Sequence, residues 1–284
     1  MAEPLAFDAS VRDKFSGTLR LYDPADVQTV QIDGAPVPLE SEITAALAYQ
    51  LEGAPVWDFE IAGFRSGDFG ATPDTDGLFM LQPYHPGRIP VVFVHGTASS
   101  PARWAEMASE LMNDPVLGDR YQFWFFMYNT GNPIAYSAMN LRESLTRAVK
   151  DLDPNGNDPA LRQMVVIGHS QGGLLTKMTA VNSGDRLWTD RFDTPFEKAD
   201  LAPETRDLLR RSLFVEPLPF VTEVIFIATP HRGSFLADNF LGSIARKLVS
   251  LPGNLSKIGV QIVKLQPKGA LHAHRMLIGR LPSM

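Results

Sequence analysis

The chain has 284 residues, 44% of them hydrophobic and 20% charged, which is enough to bury one sizeable core or two small ones. Its 26 basic and 32 acidic residues give a formal net charge of -6, so the overall charge does not support a nucleic-acid-binding surface. The sequence contains no cysteine, which excludes disulfides, thiolate metal sites and cysteine nucleophiles.

No stretch approaches the roughly 18 apolar residues of a membrane span. The first residues, MAEPLAFDASVRD, lack the basic and apolar regions of a signal peptide. As written, the chain is expected to be soluble and cytoplasmic, without a transmembrane segment. A signal upstream of this start would instead allow secretion or lipid anchoring. The sequence does not indicate an oligomeric state.

The first part of the chain is rich in turn formers. TLRLYD (residues 18–23) and VQTVQI (residues 27–32) alternate in hydrophobicity like the two strands of a hairpin. Ser41, followed by apolar residues over 43–47, predicts a short helix. Repeated Gly, Pro and Asp over residues 53–87 are typical of irregular surface chain or of an edge lobe.

The pattern changes at Ile89, where IPVVFVHG is a short continuous apolar run, typical of a strand buried on both faces of a parallel sheet. Three similar runs follow: YQFWFFMYN (121–129), MVVIGHS (164–170) and VTEVIFIA (221–228). Helices are predicted between them, one with Ser100 as N-cap and Pro101 as first residue, and another over 137–152. This alternation predicts a mostly parallel sheet with right-handed crossovers.

An inserted segment, residues 183–219, separates the third and fourth of these strands and is too long for one crossover helix. It contains four aromatic residues among charges: Trp188, Phe192, Phe196 and Phe214. Such residues indicate either a lid-like cover over a site or an extra packed pair of helices.

Residues 168–172 spell G-x-S-x-G, with Ser170 at the centre. The string alone is weak, because about one chain in ten of this length contains it by chance. Its context is more specific, since it lies between a buried strand and a helix that begins with small residues, as a nucleophile elbow requires. The turn would strain the backbone of Ser170 and point its hydroxyl out of the carboxyl end of the sheet. We therefore predict that Ser170 is a catalytic nucleophile.

A serine that attacks a carbonyl needs hydrogen-bond donors for the oxyanion that forms. The first buried strand is followed by His95, Gly96 and Thr97. This is a position from which backbone N–H groups could reach the oxyanion. We predict that the backbone N–H groups of Thr97 and Gln171 hold the oxyanion. His95 and His169 are predicted to line the site, with His95 forming structural hydrogen bonds rather than acting as the base.

Three segments together resemble the serine hydrolases of the α/β-hydrolase fold, in particular their lipase-like and esterase-like branch. They are VVFVHGTASSPARW (91–104), VVIGHSQGGLL (165–175) and FIATPHRGS (226–234). The resemblance spans about residues 89–241 and implies ester hydrolysis through an acyl-enzyme on Ser170, with no cofactor and no metal. We accordingly expect residues 1–88 to form an antiparallel extension that packs on an α/β core of residues 89–284.

A catalytic serine also needs a histidine base oriented by a carboxylate, in the chain order serine, acid, histidine for this fold. Beyond residue 228 the only acidic residue is Asp238, and the only histidines are His231, His272 and His274. Either Asp238 forms an irregular triad with His274 or His272, or the chain stops before the segment that normally carries both groups. The second alternative is favoured, because apolar residues over 236–265 recur at helical spacing and Asp238 suits a helix cap.

Two other features have simpler interpretations. His231 is a candidate for lining the site, although a loop histidine bonded to backbone explains it as well. The loop DLDPNGND (151–158) has oxygen ligands at calcium-like spacing but lacks the closing glutamate of an EF-hand loop, so we interpret it as solvated.

The sequence therefore predicts a carboxylesterase or lipase that acts on a small-molecule ester or a lipid. The apolar inserted segment favours an acyl chain over a polar substrate. One alternative is a non-catalytic or truncated hydrolase scaffold that binds an acyl-like ligand or a partner. Another is an acyltransferase, which would use the same elbow and transfer the acyl group to an alcohol.

Overall fold

A computed structural model describes residues 20, 22, 27, 29–39, 43–52 and 77–232. These residues fall into two compact units, one ending at Leu47 and the other beginning at Ala48. The first unit contains an antiparallel pair of strands, β1 (Thr29–Ile32) and β2 (Ala35–Pro38). The predicted short helix is present as α1 (Ile43–Leu51), which spans the division between the units. The packing of residues 1–88 on the core stays a prediction.

Strands β1 and β2 are joined by Asp33 and Gly34, whose φ angles are 52° and 82°. Positive φ at both positions is the pattern of a type I′ turn, which matches the twist of a two-stranded hairpin. Most of the strand predicted over residues 27–32 is thus present as β1, which pairs with β2. Most of its predicted partner, residues 18–23, lies outside the described residues. An Asp-Gly pair between two short strands is a strong local hairpin signal.

The second unit is built on a five-stranded sheet in the order β3-β5-β4-β6-β7. Its strands are β3 (Gly77–Met80), β4 (Ile89–Val94), β5 (Tyr121–Met127), β6 (Met164–His169) and β7 (Val221–Ile227). Four of them run parallel, and only β3 is antiparallel to its neighbour β5. The four predicted apolar runs form the parallel strands, whereas β3 lies in a segment that the sequence analysis interpreted as irregular or an edge lobe.

Helices connect the strands and flank the sheet. They are α2 (Ala105–Asn113), α3 (Pro115–Arg120), α4 (Ile134–Leu152), α5 (Gln171–Ala180), α6 (Arg186–Thr189) and α7 (Pro203–Leu213). Ser100 is the predicted N-cap, and its hydroxyl accepts a hydrogen bond from the N–H of Ala102 at 3.3 Å. The first turn that it caps is a 3-10 turn, Pro101–Trp104, and the α-helix begins after it. Among the described residues, no helix is long and apolar enough to cross a membrane.

The core lies on both faces of the sheet, because neighbouring residues of a strand point to opposite sides. Val92 and Val94 of β4 belong to a large cluster that includes Leu141 of α4 and Leu175 of α5. Phe93, between them in sequence, belongs to a smaller cluster on the other face. All six residues of β4 are buried, as expected for the centre of a parallel sheet covered by helices.

The inserted segment is held by buried aromatic contacts. The ring of Trp188 lies 4.2 Å from that of Phe192 and 4.9 Å from that of Phe196, measured between centroids. All three side chains are at most 5% exposed and belong to the large core cluster. These contacts agree with the packed alternative. A lid-like role of the segment and a preference for an acyl chain stay predictions.

Both ends of the insertion meet at the carboxyl end of α5. The N–H of Ser183 donates to the carbonyl of Val215 at 2.9 Å, and the N–H of Leu218 donates to the carbonyl of Thr179 at 2.8 Å. Thr179 is about 13 Å along the helix from Ser170, at 1.5 Å per residue. The insertion thus joins the core at the end of α5 opposite the predicted nucleophile.

Polar side chains anchor the segment that leads into β4. The carboxylate of Asp158 accepts hydrogen bonds from the hydroxyl of Tyr84 and from the N–H of Gly87 at 3.1 Å. Burial alone would raise the pKa of Asp158, but these bonds and one from the N–H of Ala160 hold it below its usual value. Burial raises the pKa of the Tyr84 hydroxyl, and the hydrogen bond to the carboxylate of Asp158 raises it further.

The loop with calcium-like spacing uses its carboxylates for internal hydrogen bonds. Asp153 accepts the N–H groups of Asn157 and Asp158, each at 2.8 Å, and Asp158 in turn caps the 3-10 turn Pro159–Gln163. Within the described part of the chain, no group of three His, Cys, Asp or Glu side chains could hold a metal ion. The carboxylates of Asp153 and Asp158 are thus used in hydrogen bonds that stabilise this loop and the turn after it.

Candidate active site

The strand order reverses at β4, which places a crevice at one edge of the sheet. The chain runs from β4 to β5 on one side and then crosses to β6 on the other side. In open α/β sheets, ligands bind outside the carboxyl ends of the strands at such a switch point. The crevice between the ends of β4 and β6 is bordered by the two segments predicted to carry the nucleophile and the oxyanion donors.

Ser170 lies in the sharp turn between β6 and α5, with φ 51° and ψ -120°. A residue with a side chain in this region is strained by about 1–3 kcal/mol and keeps its conformation only when its surroundings fix it. Here the N–H of Ser170 donates to the carbonyl of Ile227 at 2.8 Å, and its own carbonyl accepts the N–H of Gly173 at 3.1 Å. This is the strained elbow expected from the motif.

The glycines of the motif allow the close backbone contacts around this turn. A Cβ at Gly168 would lie 2.5 Å from the Cα of Gly173, and one at Gly172 would overlap the carbonyl oxygens of Val94 and His95. Real Cβ atoms do not approach other atoms so closely. The end of β4 is therefore pressed against the first turn of α5, and glycine is needed at both positions.

The end of β4 also passes beside the serine itself. A Cβ placed on Gly96 would lie 3.0 Å from the Cβ of Ser170 and 3.0 Å from Nδ1 of His169. Thr97 follows Gly96, and its hydroxyl donates a hydrogen bond to Oε1 of Gln171. The structure thus brings together the segments of three predicted site residues, Thr97, Ser170 and Gln171.

The backbone N–H groups of Thr97 and Gln171 are suited to an anionic ligand. Gln171 is the first residue of α5, where N–H groups have no acceptor within the helix and the helix dipole is positive. Among the described residues, neither N–H donates to a backbone or side-chain acceptor. Both are available as oxyanion donors.

His95 is 1% exposed, and both of its ring nitrogens are used in hydrogen bonds. Nδ1 lies 3.0 Å from the carbonyl oxygen of Gly96 and must donate to it, because a carbonyl only accepts. Nε2 is then the acceptor for the N–H of Tyr128 at 3.4 Å, and the ring stacks on Tyr128 with 4.4 Å between centroids. This neutral imidazole ties β4 to β5 and has no nitrogen left to take a proton from Ser170.

The other two predicted lining histidines each contact an aromatic ring. His169 is exposed and meets the edge of Trp104, with 6.4 Å between ring centroids. His231 packs edge-on against Phe226 at 4.6 Å, and its Nδ1 is buried without a partner in the described residues. Burial, and secondarily the charge of Lys177, lower the pKa of His231.

Asp238, His272 and His274, the candidates for acid and base, lie outside the described residues. Their proposed roles stay predictions.

Thr130 is a polar residue of this region that the sequence analysis did not select. It follows β5 and is 6% exposed, and its hydroxyl accepts the N–H of Ala98 at 3.2 Å. Its place could be found only from the strand order, since β5 is next to β4 in the sheet and both strands end at the same edge. No local motif marks it.

Parts of the chain are similar to known proteins. Residues 85–194 match the family model described as "PGAP1-like alpha/beta domain". None of the curated proteins matches the chain. A lipase of Bacillus licheniformis in its mature form is 20% identical with a TM-score of 0.34, over 71% of this chain and 64% of the lipase.

Two esterases are similar at the same level. Esterase B of Lactobacillus rhamnosis, inhibited by a tributyrin phosphonate, is 15% identical with a TM-score of 0.37, over 79% of this chain and 72% of that protein. A Thermogutta terrifontis esterase with propionate bound is 17% identical with a TM-score of 0.34, over 60% of this chain and 56% of the esterase. The match thus spans less than two thirds of this esterase and of the lipase.

Strand order, the antiparallel first strand of the sheet and the family match define the class: this chain has the α/β-hydrolase fold. The resemblance to that class read from its motifs is confirmed. The segment that matches the PGAP1-like family model contains both Thr97 and Ser170.

Proposed function

We propose that the protein is a serine carboxylic ester hydrolase that works through an acyl-enzyme on Ser170. The observation that carries this proposal is the conformation of Ser170, a side-chain-bearing residue at φ 51° between a buried strand and the N-terminus of a helix. Strained backbone of this kind is typical of functional sites, where the surrounding structure maintains it. The N–H groups of Thr97 and Gln171 beside it, which have no acceptor in the part of the chain that the structure describes, are the proposed second element of the site.

In the proposed reaction, the hydroxyl oxygen of Ser170 attacks the ester carbonyl while a base removes its proton. The carbonyl oxygen becomes an oxyanion, which accepts hydrogen bonds from the N–H groups of Thr97 and Gln171. The alcohol then leaves with a proton, and water releases the acid from the acyl-enzyme by the same steps. Each oxyanion donor is expected to contribute about 3 kcal/mol of transition-state stabilisation.

If the base and its orienting acid lie within these 284 residues, we propose His274 and Asp238 for these roles. The other alternative is that both lie outside the given sequence. His95 is unsuited because both of its ring nitrogens are occupied. We expect His274→Ala and Asp238→Asn each to reduce kcat for a p-nitrophenyl ester by at least about 10³-fold, because a serine without an oriented base is a poor nucleophile. If both variants keep wild-type kcat while Ser170→Ala loses it, this pair is wrong and the base is another group.

The nucleophile is tested by mixing the 284-residue chain with a short p-nitrophenyl ester and, separately, with a fluorophosphonate probe. We expect a burst of p-nitrophenol, labelling by the probe, and loss of both in Ser170→Ala. Ser109→Ala is the matched control, since Ser109 is a buried helical serine whose hydroxyl accepts a hydrogen bond from the side chain of Asn113 at 3.4 Å. It should retain turnover and labelling.

Two outcomes would contradict the proposal. Turnover that persists in Ser170→Ala would place the chemistry elsewhere. Folded protein with neither turnover nor labelling would favour a scaffold that binds an ester-like ligand without hydrolysing it.

A further inference from the structure

The loop that carries the proposed oxyanion donor Thr97 contains a second strained residue. Ala98 has a φ of 50°, in the left-handed region that residues with a side chain rarely adopt. Such a conformation persists only where surrounding contacts fix it. One buried residue, Thr130, contacts this loop on one side and the elbow on the other.

The contacts of Thr130 complete a closed ring of hydrogen bonds. Its hydroxyl accepts the N–H of Ala98 at 3.2 Å, and its carbonyl accepts Nε2 of Gln171 at 3.3 Å. The other end of the same amide, Oε1 of Gln171, accepts the hydroxyl of Thr97. Because Thr97 and Ala98 are neighbours in the chain, the ring joins the ends of β4, β5 and β6.

The ring constrains the backbone on both sides of the oxyanion donors. The side chain of Thr97 and the N–H that follows it are both tied, which limits rotation of the peptide unit between them. The side chain of Gln171 is tied at both of its polar atoms, immediately beside its own backbone N–H. The N–H groups of Thr97 and Gln171 are thus held relative to each other by side chains that need not touch a substrate.

We infer that Thr130 and the side chain of Gln171 are positioning residues, which hold the two oxyanion N–H groups aimed at one point. The inference rests on the proposed function, because it assumes that these groups bind an oxyanion. Donors stabilise a transition state most when they are placed before the charge develops. Loosening them should therefore lower kcat and leave KM unchanged, since the ground-state carbonyl depends less on them.

The test compares Thr130→Val with Thr130→Ser. Valine keeps the shape of the side chain and removes the acceptor for Ala98, whereas serine keeps the hydroxyl. With the p-nitrophenyl ester, we expect kcat to fall about 10-fold in Thr130→Val with KM unchanged, a fraction of the effect of removing a donor outright. Thr130→Ser should restore most of the wild-type kcat.

Thr179→Val is the matched control for the loss of a buried threonine hydroxyl. Its hydroxyl donates to the carbonyl of Thr176 at 2.7 Å, near the far end of α5 from Ser170. This variant should resemble Thr130→Val in its lowered thermal stability but not in kcat. An equal loss of kcat in both would overturn the positioning role, because the effect would then follow from general destabilisation.

Hydrogen exchange at the amide of Ala98 gives a readout that does not depend on turnover. We expect exchange at this amide to be at least about 10-fold faster in Thr130→Val, because its acceptor is gone. It should stay at the wild-type rate in Thr130→Ser and in Thr179→Val. Unchanged exchange in Thr130→Val would overturn the ring itself.

Failure of this inference is distinguishable from failure of the proposed function. Turnover that requires Ser170 but is unaffected by Thr130→Val overturns the inference alone. Turnover that does not require Ser170 contradicts the proposed function and removes the positioning role with it.

Discussion

The edge of the sheet around Ser170 and the inserted segment are stabilised in different ways. Around Ser170, the contacts are hydrogen bonds and close backbone approaches, and three residues there, Ser170, Ala98 and Ala228, have strained φ angles. In the insertion, large aromatic side chains are buried against each other and against the helices of the core. The difference suggests that the insertion contributes stability, whereas the sheet edge maintains a geometry that costs stability.

The strongest test of this comparison is Trp188→Ala in the insertion. Removing a fully buried tryptophan should lower the free energy of unfolding by about 3–5 kcal/mol. Urea unfolding measures this loss, and kcat measured on the fraction that stays folded should change little. A large fall in kcat without a loss of stability would mean that the insertion serves the site after all. Trp188→Phe, which keeps an aromatic ring, should cost less.

A second test concerns polar anchoring at the opposite edge of the sheet, where no strained residue is involved. Tyr84→Phe removes the hydroxyl that donates to the carboxylate of Asp158. We expect a loss of about 1–2 kcal/mol at neutral pH, since the bond is made to a charged group. Activity should be unchanged.

The pH dependence of this loss follows from the two pKa shifts. The pKa of Asp158 is lowered in the folded protein, so its contribution is present above the ordinary aspartate pKa and is lost as the pH falls below about 4. The pKa of Tyr84 is raised, so its contribution is complete below about pH 10 and is lost only above it. The difference between wild type and Tyr84→Phe should therefore shrink in acid, and a constant difference down to pH 2 would contradict this assignment.

The smallest expected effect is a difference in stability between two substitutions of Ser170, and it tests whether the elbow is strained. Ser170→Gly should be more stable than Ser170→Ala by about 1 kcal/mol, because glycine adopts positive φ without strain and this gain exceeds its entropy cost in the unfolded chain. Differential scanning calorimetry of the two inactive variants measures the difference. If the alanine variant were the more stable one, the elbow would not be strained in the way its φ indicates.

The sequence predicts those structural features whose physical cause lies in residues that are neighbours in the chain. The four parallel strands were predictable because strands buried on both faces require continuous apolar runs, as in IPVVFV. The elbow was predictable because glycine, serine and the adjoining strand are neighbours in the chain. By contrast, β3 has only four residues among turn formers, and its strand character comes from pairing with β5, more than forty residues later.

Thr130 and the aromatic residues of the insertion show the same limit. Thr130 belongs to the site because β5 and β4 are adjacent in the sheet, which no local pattern reveals. The aromatic residues were compatible with either a lid or a packed segment, because composition does not state what a side chain packs against. The tertiary contacts show which side chains these rings pack against.

The hydrogen bonds that join Ser183 to Val215 close the backbone of the insertion into a loop whose two ends meet. Backbone bonds at this position bring the two ends of the segment together, so the chain leaves and re-enters the core at one place. Loops whose ends meet tolerate changes of length at small entropic cost. This position is therefore a natural junction for exchanging residues 184–214 between proteins of this fold, with Ser170 and its neighbours left in place at the other end of α5.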